Sequence, residues 1–562
     1  MNNFFTKKRM FARISALEQA RSAHIPDWQR ITNVIRPARG KYLEGSNSTS
    51  DEVSKRPTSM VNSTPAVASR TLQAGMISGA SSPAYEWFRF ILDDFDMNRY
   101  LPYKVHLEAR MKIVSQYLAR SNFYQGLQVV YGDSADFGTG CGIIEEHPRD
   151  FFSAKVYSPG EYLIDVDAFG DIDTIIRKTP WKAVNIISQF GLEKCSRPVR
   201  DAYDRGDYHI PFTVIEIVEP NRLHDSDKAD WRGKPWVKFT FEENVKDDGE
   251  QYYLELAGYP DFPGFNLRWD LASGNTWGWG PGLLALGDAA ALQTLEFRDA
   301  QAVEKAVKPP LGAPTFLKNQ PISHAPGGIT YYDPYAANNA KVEPLYTIAP
   351  GVLQALITKI EKAEFRVNQV YYKDLFLMLA TSDRREITAR EVDEKHEEKL
   401  FALGPVLQRT HRDALSQAII RVYNILDRKG VFPPAPAELR DRLLSIQYTS
   451  ALAYAQRAAG AASLERFFGF TGNLAAVYPK VRHKINVNKG MDFYADAVGV
   501  PAEVMVDDKT ADKAAAAEQQ AMQGANQAKV LKDTAGAAEL LSQTDTTRPS
   551  ALSFLMDRGG IA

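Results

Sequence analysis

The sequence has few cysteines and lacks the residue patterns on which common catalytic sites are built. Only two of its 562 residues are cysteine, Cys141 and Cys195, which excludes a disulfide framework. No Cys/His cluster has the spacing of a zinc site, and no GxxxxGK[ST] phosphate loop is present. His396-Glu397 lacks the second histidine of a zinc-protease motif. We therefore predict no catalytic residue, metal site or cofactor, and we favour a structural or interaction protein over an enzyme.

Long apolar runs and an excess of one charge are also missing. The most apolar short run, Leu375–Ala380, is far below the ~20 residues of a membrane span. The N-terminus lacks the apolar core of a signal peptide, so we expect a soluble protein that is not exported. Lys plus Arg number 67 and Asp plus Glu number 69. This balance argues against a protein that grips nucleic acid over its whole surface, but not against one past which DNA slides.

The length predicts several domains, and the hydrophobic pattern predicts an α+β fold that is mainly helical. Strand signals lie between Ile143 and Trp279, with helices at both ends of the chain. Within that region Tyr162–Asp165 and Ile172–Arg177 predict a hairpin whose turn contains Asp167 and Gly170. Further strands are predicted at 213–219, 236–242 and 252–256, and short helices at 184–190 and 198–205.

Two weaker signals have an ordinary interpretation and a functional one. Gly138–Gly142 loosely resembles a phosphate loop, but it follows a predicted helix rather than a strand, so a tight turn is favoured. The acidic pairs could hold a metal but are more often solvated surface; they are Asp93-Asp94, Glu145-Glu146 and Asp507-Asp508.

The rest of the chain is organised around two long helices. The first is predicted over Leu283–Lys308 and the second over Gly351–Phe376, with Pro309–Pro350 between them. Helices of this length span roughly 40 Å at about 1.5 Å per residue. The insert is too long and too rich in turn-forming residues for a simple hairpin, which predicts a small module at the far end of a two-helix stalk.

The second helix carries two stripes at helical spacing. The apolar stripe includes Leu353, Leu356, Ile357, Ile360, Val367, Val370 and Tyr371, and the basic stripe comprises Lys359, Lys362, Arg366 and Lys373. The first helix is rich in alanine, which permits close helix approach. Two interpretations remain open. Either this is an ordinary pair with a solvated charged face, or the stalk packs against copies of itself around an axis with charge facing a channel.

The segment after the second helix has a local signal of its own. We predict a loop over Leu375–Ile387 and leave two interpretations open. It is either a helix–helix connection with buried leucines, or a mobile loop in which Arg384 and Arg385 contact DNA phosphates without reading sequence. The capping box Thr388–Glu391 predicts a long helix that ends at Lys429 and kinks at Gly404-Pro405. Further helices are predicted at 446–465, 488–500 and 512–532.

With these segments in place, the chain resembles the portal, or head-to-tail connector, proteins of short-tailed bacteriophages over about residues 1–505. No single motif is diagnostic, but their order and spacing are. The matching stretches are Trp28–Pro37, Asn62–Thr64, Leu72–Met76, Ser81–Pro83 before Trp87-Phe88, Ser121–Tyr124, Phe137–Gly140, Arg268-Trp269, Gly278–Gly282, Lys308–Pro310, Thr388–Val392 and Leu403-Gly404. One departure is Trp277–Gly280, where family members more often carry Tyr, Gly, Arg, Gly.

The resemblance implies a portal fold, assembled as a ring of usually twelve subunits around a central channel. It implies a wing at 1–280 and 389–445, stem helices at 281–308 and 351–375, and a clip at 309–350. A tunnel loop at 376–388 and a crown at 446–562, with an Ala-rich helix and a flexible tail, complete the layout.

By the same resemblance the ring would conduct double-stranded DNA without sequence specificity at the capsid vertex of the virion. The expected partners are the terminase large subunit, tail adaptor proteins, and major capsid and scaffolding proteins, with assembly in the host cytoplasm and no membrane. Candidate channel residues are Arg384, Arg385, Lys359, Lys362, Arg366 and Lys373. Candidate docking residues in the clip are Phe316, Lys318, Tyr331, Tyr332 and Tyr335. A DNA- or nucleotide-processing enzyme and a virion scaffold protein that forms no ring remain the alternatives.

Overall fold

A computed structural model describes most of the chain. The described residues are 6–43, 60–92, 101–272, 274–313, 342–381, 403–436, 444–449 and 467–474, with single positions or short runs at 315–323 and 478–534. The chain divides into two compact units, Met1–Ile91 with Leu107–Ala459 and Leu92–His106 with Gly460–Ala562. In the second unit the described positions of 467–474 and 513–534 are helical, in agreement with the helix predicted at 512–532. Within this described part, no helix is long and apolar enough to cross a membrane.

Helices form the longest elements of the described part of the first unit. In chain order they are α1 (Lys7–Ser22), α2 (Ile25–Val34), α3 (Thr64–Ala80), α4 (Leu101–Arg120), α5 (Phe123–Phe137), α6 (Ala183–Phe190), α7 (Arg197–Asp204), α8 (Pro281–Val307), α9 (Pro350–Val370) and α10 (Lys373–Thr381). A last helix runs from residue 403 through a π-helical segment, Thr410–Ser416, into α11 (Gln417–Arg428).

The strands lie mainly between α5 and α8. They are β1 (Phe88–Leu92), β2 (Thr139–His147), β3 (Phe151–Tyr157), β4 (Tyr162–Val166), β5 (Ile172–Lys182), β6 (Pro211–Pro220), β7 (Trp236–Glu242), β8 (Glu255–Tyr259), β9 (Gly264–Arg268), β10 (Leu311–Gly312), β11 (Glu343–Pro344) and β12 (Leu444–Tyr448). The helices and strands together confirm the predicted α+β class.

Five strands form an antiparallel meander in the order β4-β5-β6-β7-β8. Alternating apolar residues of β4 to β7, such as Ile176, Ile215 and Phe239, pack against Met10 and Ile14 of α1. The helices α6 and α7 bury Ile186 and Val199 in a second cluster that includes β6. The predicted β4–β5 hairpin and both short helices are therefore confirmed.

Three further strands form a second sheet, in the order β3-β2-β9. Phe265 of β9 faces α5, where its ring contacts Phe123. Asn266 and Arg268 point to the opposite face, because successive side chains of a strand alternate. On that face Arg268 bonds to Asp413 of the π-helical segment, with 3.2 Å between Nη2 and Oδ2. The sheet is thus a layer between α5 and the last helix.

Several predicted elements are wrong or shifted. Residues 446–448 are part of β12, which pairs with β1, and not part of a helix. Leu444, Ile446 and Tyr448 alternate with polar residues, and Tyr448 packs against Trp87 and His411. The strand predicted at 252–256 begins three residues later, after a 3₁₀ turn.

The glycine cluster was also misassigned. Only Gly138 has a left-handed backbone and ends α5, whereas Gly140 and Gly142 lie in β2, which the turn prediction missed. The second long helix ends at Val370 rather than Phe376, and residues 373–381 are helical rather than a loop. Leu375 and Phe376 are buried there, and burial of these side chains favours a helix docked on the body over an open loop. A kink was predicted at Gly404-Pro405, and residues 403–409 around it are helical. The departure from α-helical geometry described in this helix is the π-helical segment that follows, Thr410–Ser416.

A buried charge cluster joins the two sheets. The ammonium of Lys238 on β7 lies 3.0 Å from a carboxylate oxygen of Glu145 on β2 and 3.0 Å from one of Glu255 on β8. Lys155 of β3 also bonds to Glu145. Burial disfavours the ionised carboxylate, but the two ammonium groups outweigh it and lower the pKa of Glu145 to about 2. Glu145 is therefore a structural ion and not the solvated surface residue predicted.

We expect Glu145→Gln to destabilise the first unit at neutral pH. The ordinary carboxyl pKa of 4.5 falls to about 2 in the fold, so the ionised form stabilises the fold above pH 4.5. This contribution, about 3 kcal/mol at most, is lost as the pH falls from about 5 through 2. Urea midpoints from pH 7 to pH 2, followed by tryptophan fluorescence, should therefore converge for wild type and variant at low pH. Parallel curves would contradict this, and Glu193→Gln at an exposed site is the control.

Candidate functional site

The two long helices pair in antiparallel fashion and are half-covered by the rest of the unit. The N-terminal half of α8 buries Ala285, Ala289 and Leu292, and the C-terminal half of α9 buries Ala363 and Val367. These halves lie where α8 contacts α2 and α5 and where α9 contacts α3. The opposite ends are exposed, and there β10 and β11 pair across the neck of the insert, Leu311 with Pro344 and Gly312 with Glu343.

Charged hydrogen bonds fix the two helices against each other. Arg366 of α9 donates to Asp288 of α8 with 2.8 Å between Nε and Oδ1. Ahead of α3, the amide of Asn62 donates to Glu296 of α8 at 2.6 Å and to Glu364 of α9 at 2.9 Å. Because this one amide bridges both helices, the pair is held at a fixed spacing near its covered end.

The basic stripe is only partly assembled by the fold. Lys359, Lys362 and Arg366 lie within about 60° on the surface of α9, at 100° per residue. All three side chains are exposed. Lys373 lies beyond the end of α9, on α10, and is half-buried. The structure therefore brings three of the four predicted cations together on one face and separates the fourth.

An uncovered apolar strip adjoins this basic face. Ile357 is 43% exposed and Phe365 is 62% exposed, and the two share one side of α9. On α8 the exposed side carries the small residues Gly287, Ala291 and Thr294. A Cβ added to Gly287 would meet nothing within 4 Å. Both helices thus present surfaces that are shaped for close helix contact but have no covering element within the described part of the chain.

The C-terminal end of α9 is anchored by a buried polar network. The Tyr371 hydroxyl donates to Asp136 Oδ1 at 2.8 Å, and Asp136 Oδ2 accepts from Ser69 at 2.8 Å and from Arg36 at 3.1 Å. Burial raises the pKa of Asp136, although Arg36 and the two hydroxyl groups favour its ionised form. Tyr372 then takes a left-handed backbone, with φ of 53°, which turns the chain from α9 into α10.

A glycine on α3 lets α10 dock beside this anchor. The ring of Phe376 lies so close to Gly75 that an added Cβ would be 2.1 Å from a ring carbon. Gly75 belongs to the Leu72–Met76 motif, which the sequence analysis had singled out as a family match. The sequence did not identify Phe376 as the residue that packs against this glycine. The anchor and this contact fix where α10 starts, and Arg384 and Arg385 follow α10 in the sequence.

The remaining predicted site residues are placed less completely. Arg384 and Arg385 lie outside the described residues, as do Phe316, Tyr331, Tyr332 and Tyr335. Lys318 is described and exposed. Among the described residues no group of three His, Cys, Asp or Glu could hold a metal ion.

Comparison with known proteins gives a consistent result over almost the whole chain. The model of the family described as "Bacteriophage head to tail connecting protein" matches residues 7–506. The portal protein of Salmonella phage epsilon15 is 32% identical over 555 residues, which cover 99% of this chain and 98% of that protein. The probable portal protein of Bordetella phage BPP-1 is 32% identical over 551 residues, 97% of each chain.

We predict that Gly75→Ala destabilises the unassembled chain by about 1–3 kcal/mol, because the added methyl group must displace Phe376 or α3. Gly287→Ala is the matched control, since both glycines lie within helices. At Gly287 the methyl group has free space, and alanine should raise stability by up to about 1 kcal/mol. Thermal unfolding of the two variants should shift in opposite directions. Equal shifts would mean that α10 is not docked through Gly75.

Proposed function

Because this chain belongs to the family of bacteriophage head-to-tail connecting proteins and functions as a phage portal protein, we propose that its copies close into a ring around a DNA channel. Through that channel DNA would enter the capsid during terminase-driven packaging and leave at ejection. The observation that carries this proposal is the α8–α9 pair, in which a basic face adjoins an uncovered apolar strip. One surface suits the channel and the other suits a neighbouring copy.

The domain layout follows the segments of the chain. We propose a wing at 1–280 and 389–445, a stem at 281–308 and 351–375, a clip at 309–350, a tunnel segment at 376–388 and a crown at 446–562. Two boundaries move with the described elements. The second stem helix ends at Val370, so α10 joins the tunnel segment, and β12 joins the wing because it pairs with β1.

Ring closure would cover the apolar strip. A heterologous contact, in which one surface meets a different surface of the next copy, generates a ring when the rotation closes. We propose that Ile357 and Phe365 pack on the neighbour's α8 beside Gly287, where small side chains allow close approach. Covering a side chain of this size contributes about 1.5–3 kcal/mol when its burial is complete. We propose that the ring contains twelve copies.

The basic face would then line the channel. Lys359, Lys362 and Arg366 project from one side of α9, and Arg384 and Arg385 follow α10. Repeated around a ring, a few cations per copy give a positive lining that contacts phosphates without reading bases. The near-zero net charge of the chain suits a conduit, because an overall basic protein would hold the DNA rather than let it pass.

The clip would be the docking surface for other virion and packaging proteins. We propose that Phe316, Lys318, Tyr331, Tyr332 and Tyr335 contact the terminase large subunit during packaging and tail adaptor proteins afterwards. The outer surface would meet major capsid and scaffolding proteins at one capsid vertex, after assembly in the host cytoplasm. The chain itself would act as a structural conduit, and the terminase would supply the motor.

The ring interface can be tested with Ile357→Asp combined with Phe365→Asp. Ile357 is 43% exposed and Phe365 is 62% exposed, so the monomer should fold normally, while the charges buried in the ring interface should weaken assembly at least tenfold. Mass photometry over a concentration series measures the ring fraction. The control is Leu192→Asp, at a wing residue that is 42% exposed and should leave assembly unchanged. Wild-type ring formation by the double variant would contradict the proposed interface.

Charge reversal tests the channel lining. We expect Lys359→Glu with Lys362→Glu, and separately Arg384→Glu with Arg385→Glu, to form rings but to reduce packaged DNA at least tenfold, because carboxylates repel the phosphates. DNase-protected DNA in a packaging reaction is the readout. Lys194→Glu, at an exposed wing lysine, is the control. Normal packaging by both double variants would remove these residues from the channel.

A further inference from the structure

A carboxylate of the neighbouring helix is bound to the basic face of α9. Asp288 of α8 accepts from Arg366 through one oxygen, with 2.8 Å from Oδ1 to Nε and 2.8 Å from Oδ1 to Nη2. The Arg366 side chain is 52% exposed and that of Asp288 is 32% exposed. The ion pair therefore lies at the surface, where a ligand of the basic face can reach it.

The glutamates of α9 itself lie away from this face. At 100° per residue, Glu361 and Glu364 are about 140° or more from Lys359 around the helix. Glu364 is also engaged by the segment ahead of α3, from which it accepts two hydrogen bonds. Lys359 and Lys362 are exposed and form no ion pair with another described residue. Asp288 is therefore the carboxylate that the described structure pairs with the basic face.

The packing of α8 against α9 has other supports and does not depend on this ion pair. Both helices bury small and apolar side chains, such as Ala289 and Val367. The amide of Asn62 donates to a carboxylate on each helix and holds the two together near their covered end. Exposed ion pairs stabilise a fold little. Asp288 therefore adds little to the fold, whereas it changes the basic face by a full charge.

Pairing with Asp288 changes what a phosphate meets at Arg366. The guanidinium and the carboxylate form a neutral unit, whose field falls off faster than that of a lone cation, and physiological salt screens charges within about 8 Å. Each copy thus presents two net positive charges on this face, from three cations and one carboxylate. A phosphate can still bind the guanidinium, but only by displacing the carboxylate.

We propose that Asp288 limits how strongly the channel binds DNA, by competing with passing phosphates for the Arg366 guanidinium. This inference rests on the proposed function, in which the basic face of α9 lines the channel. Lys359 and Lys362 would contact phosphates directly, and the Arg366–Asp288 pair would supply a contact that opens and closes without holding the duplex. Repeated in every copy, this competition would lower the resistance to sliding around the whole ring.

Removal of the carboxylate charge tests this role. Asp288→Asn keeps the size of the side chain and an oxygen that can accept from Arg366. At low salt we expect Asp288→Asn rings to bind a fluorescently labelled DNA duplex at least tenfold more tightly than wild-type rings. The slope of log affinity against log salt should steepen by about 0.9 for each freed guanidinium that meets a phosphate. Fluorescence anisotropy over a sodium chloride series measures both quantities, and mass photometry verifies the rings.

Two comparisons separate competition for the guanidinium from a simple change in charge. Glu304→Gln removes the same charge from an exposed position of α8, about 160° around the helix from Asp288, and should change duplex binding less than about twofold. In an Arg366→Gln chain, Asp288→Asn only removes a carboxylate that repels phosphates through solvent. The gain in affinity should therefore be at least threefold smaller there than in the wild-type chain.

The outcomes distinguish the inference from the proposed function. Lys359→Glu with Lys362→Glu should weaken duplex binding by the same rings. If it does, but Asp288→Asn rings bind the duplex as wild-type rings do, or gain equally in the Arg366→Gln chain, the inference alone is overturned. Failure of Asp288→Asn chains to form rings would also overturn it, because the ion pair would then belong to the ring interface. If the double lysine variant binds the duplex normally, the proposed channel lining is wrong instead.

Discussion

The buried carboxylate of Asp136 is the interaction on which the arrangement of the first unit depends. It sits at the end of α5 and receives hydrogen bonds from three separate parts of the chain, Arg36, Ser69 and Tyr371. Asp133, one turn earlier, binds Arg36 and Arg39. A carboxyl group with no exposure is tolerated only when its oxygens are fully paired, so the loss of any one partner leaves buried polar atoms without a hydrogen bond. The N-terminal segment, α3, α5 and the end of α9 are therefore fixed as one assembly.

Close backbone contacts next to this network explain two of the glycine-rich motifs. A Cβ on Gly138 would lie 2.0 Å from the carbonyl oxygen of Gly278, and one on Gly282 would lie 2.4 Å from that of Asp136. The end of α5 and the start of α8 thus touch through their main chains, which no side chain would permit. The position of the long helices relative to the sheets follows from this contact as much as from the hydrophobic core.

The sequence predicted elements whose signals are local, and it failed where the partner is distant. Helical periodicity was sufficient for α8, and alternation around Asp167 and Gly170 was sufficient for the β4–β5 hairpin. The glycines at 138–142 were predicted incorrectly because the close contact with Gly278 sets their conformation. Leu444–Tyr448 was predicted incorrectly because it forms a strand only by pairing with β1, which lies hundreds of residues earlier in the sequence. In the candidate site the three cations of α9 could be grouped by spacing alone. The anchor at Tyr371 could not be predicted, because it requires side chains from several elements to converge on Asp136.

Charge placement gives this chain a basic helix face although its net charge is only −2. Several of its carboxylates form ion pairs inside the fold. Asp133 and Asp136 pair with Arg36, and Glu145 pairs with Lys238 and Lys155. Among the channel candidates on α9, Arg366 is paired with Asp288, whereas Lys359 and Lys362 are exposed and form no ion pair with another described residue. The DNA conduit that we propose would need this separation. Uniform basicity would bind the duplex along every surface, while a confined cationic face in an otherwise balanced protein would weaken each contact enough for the duplex to slide.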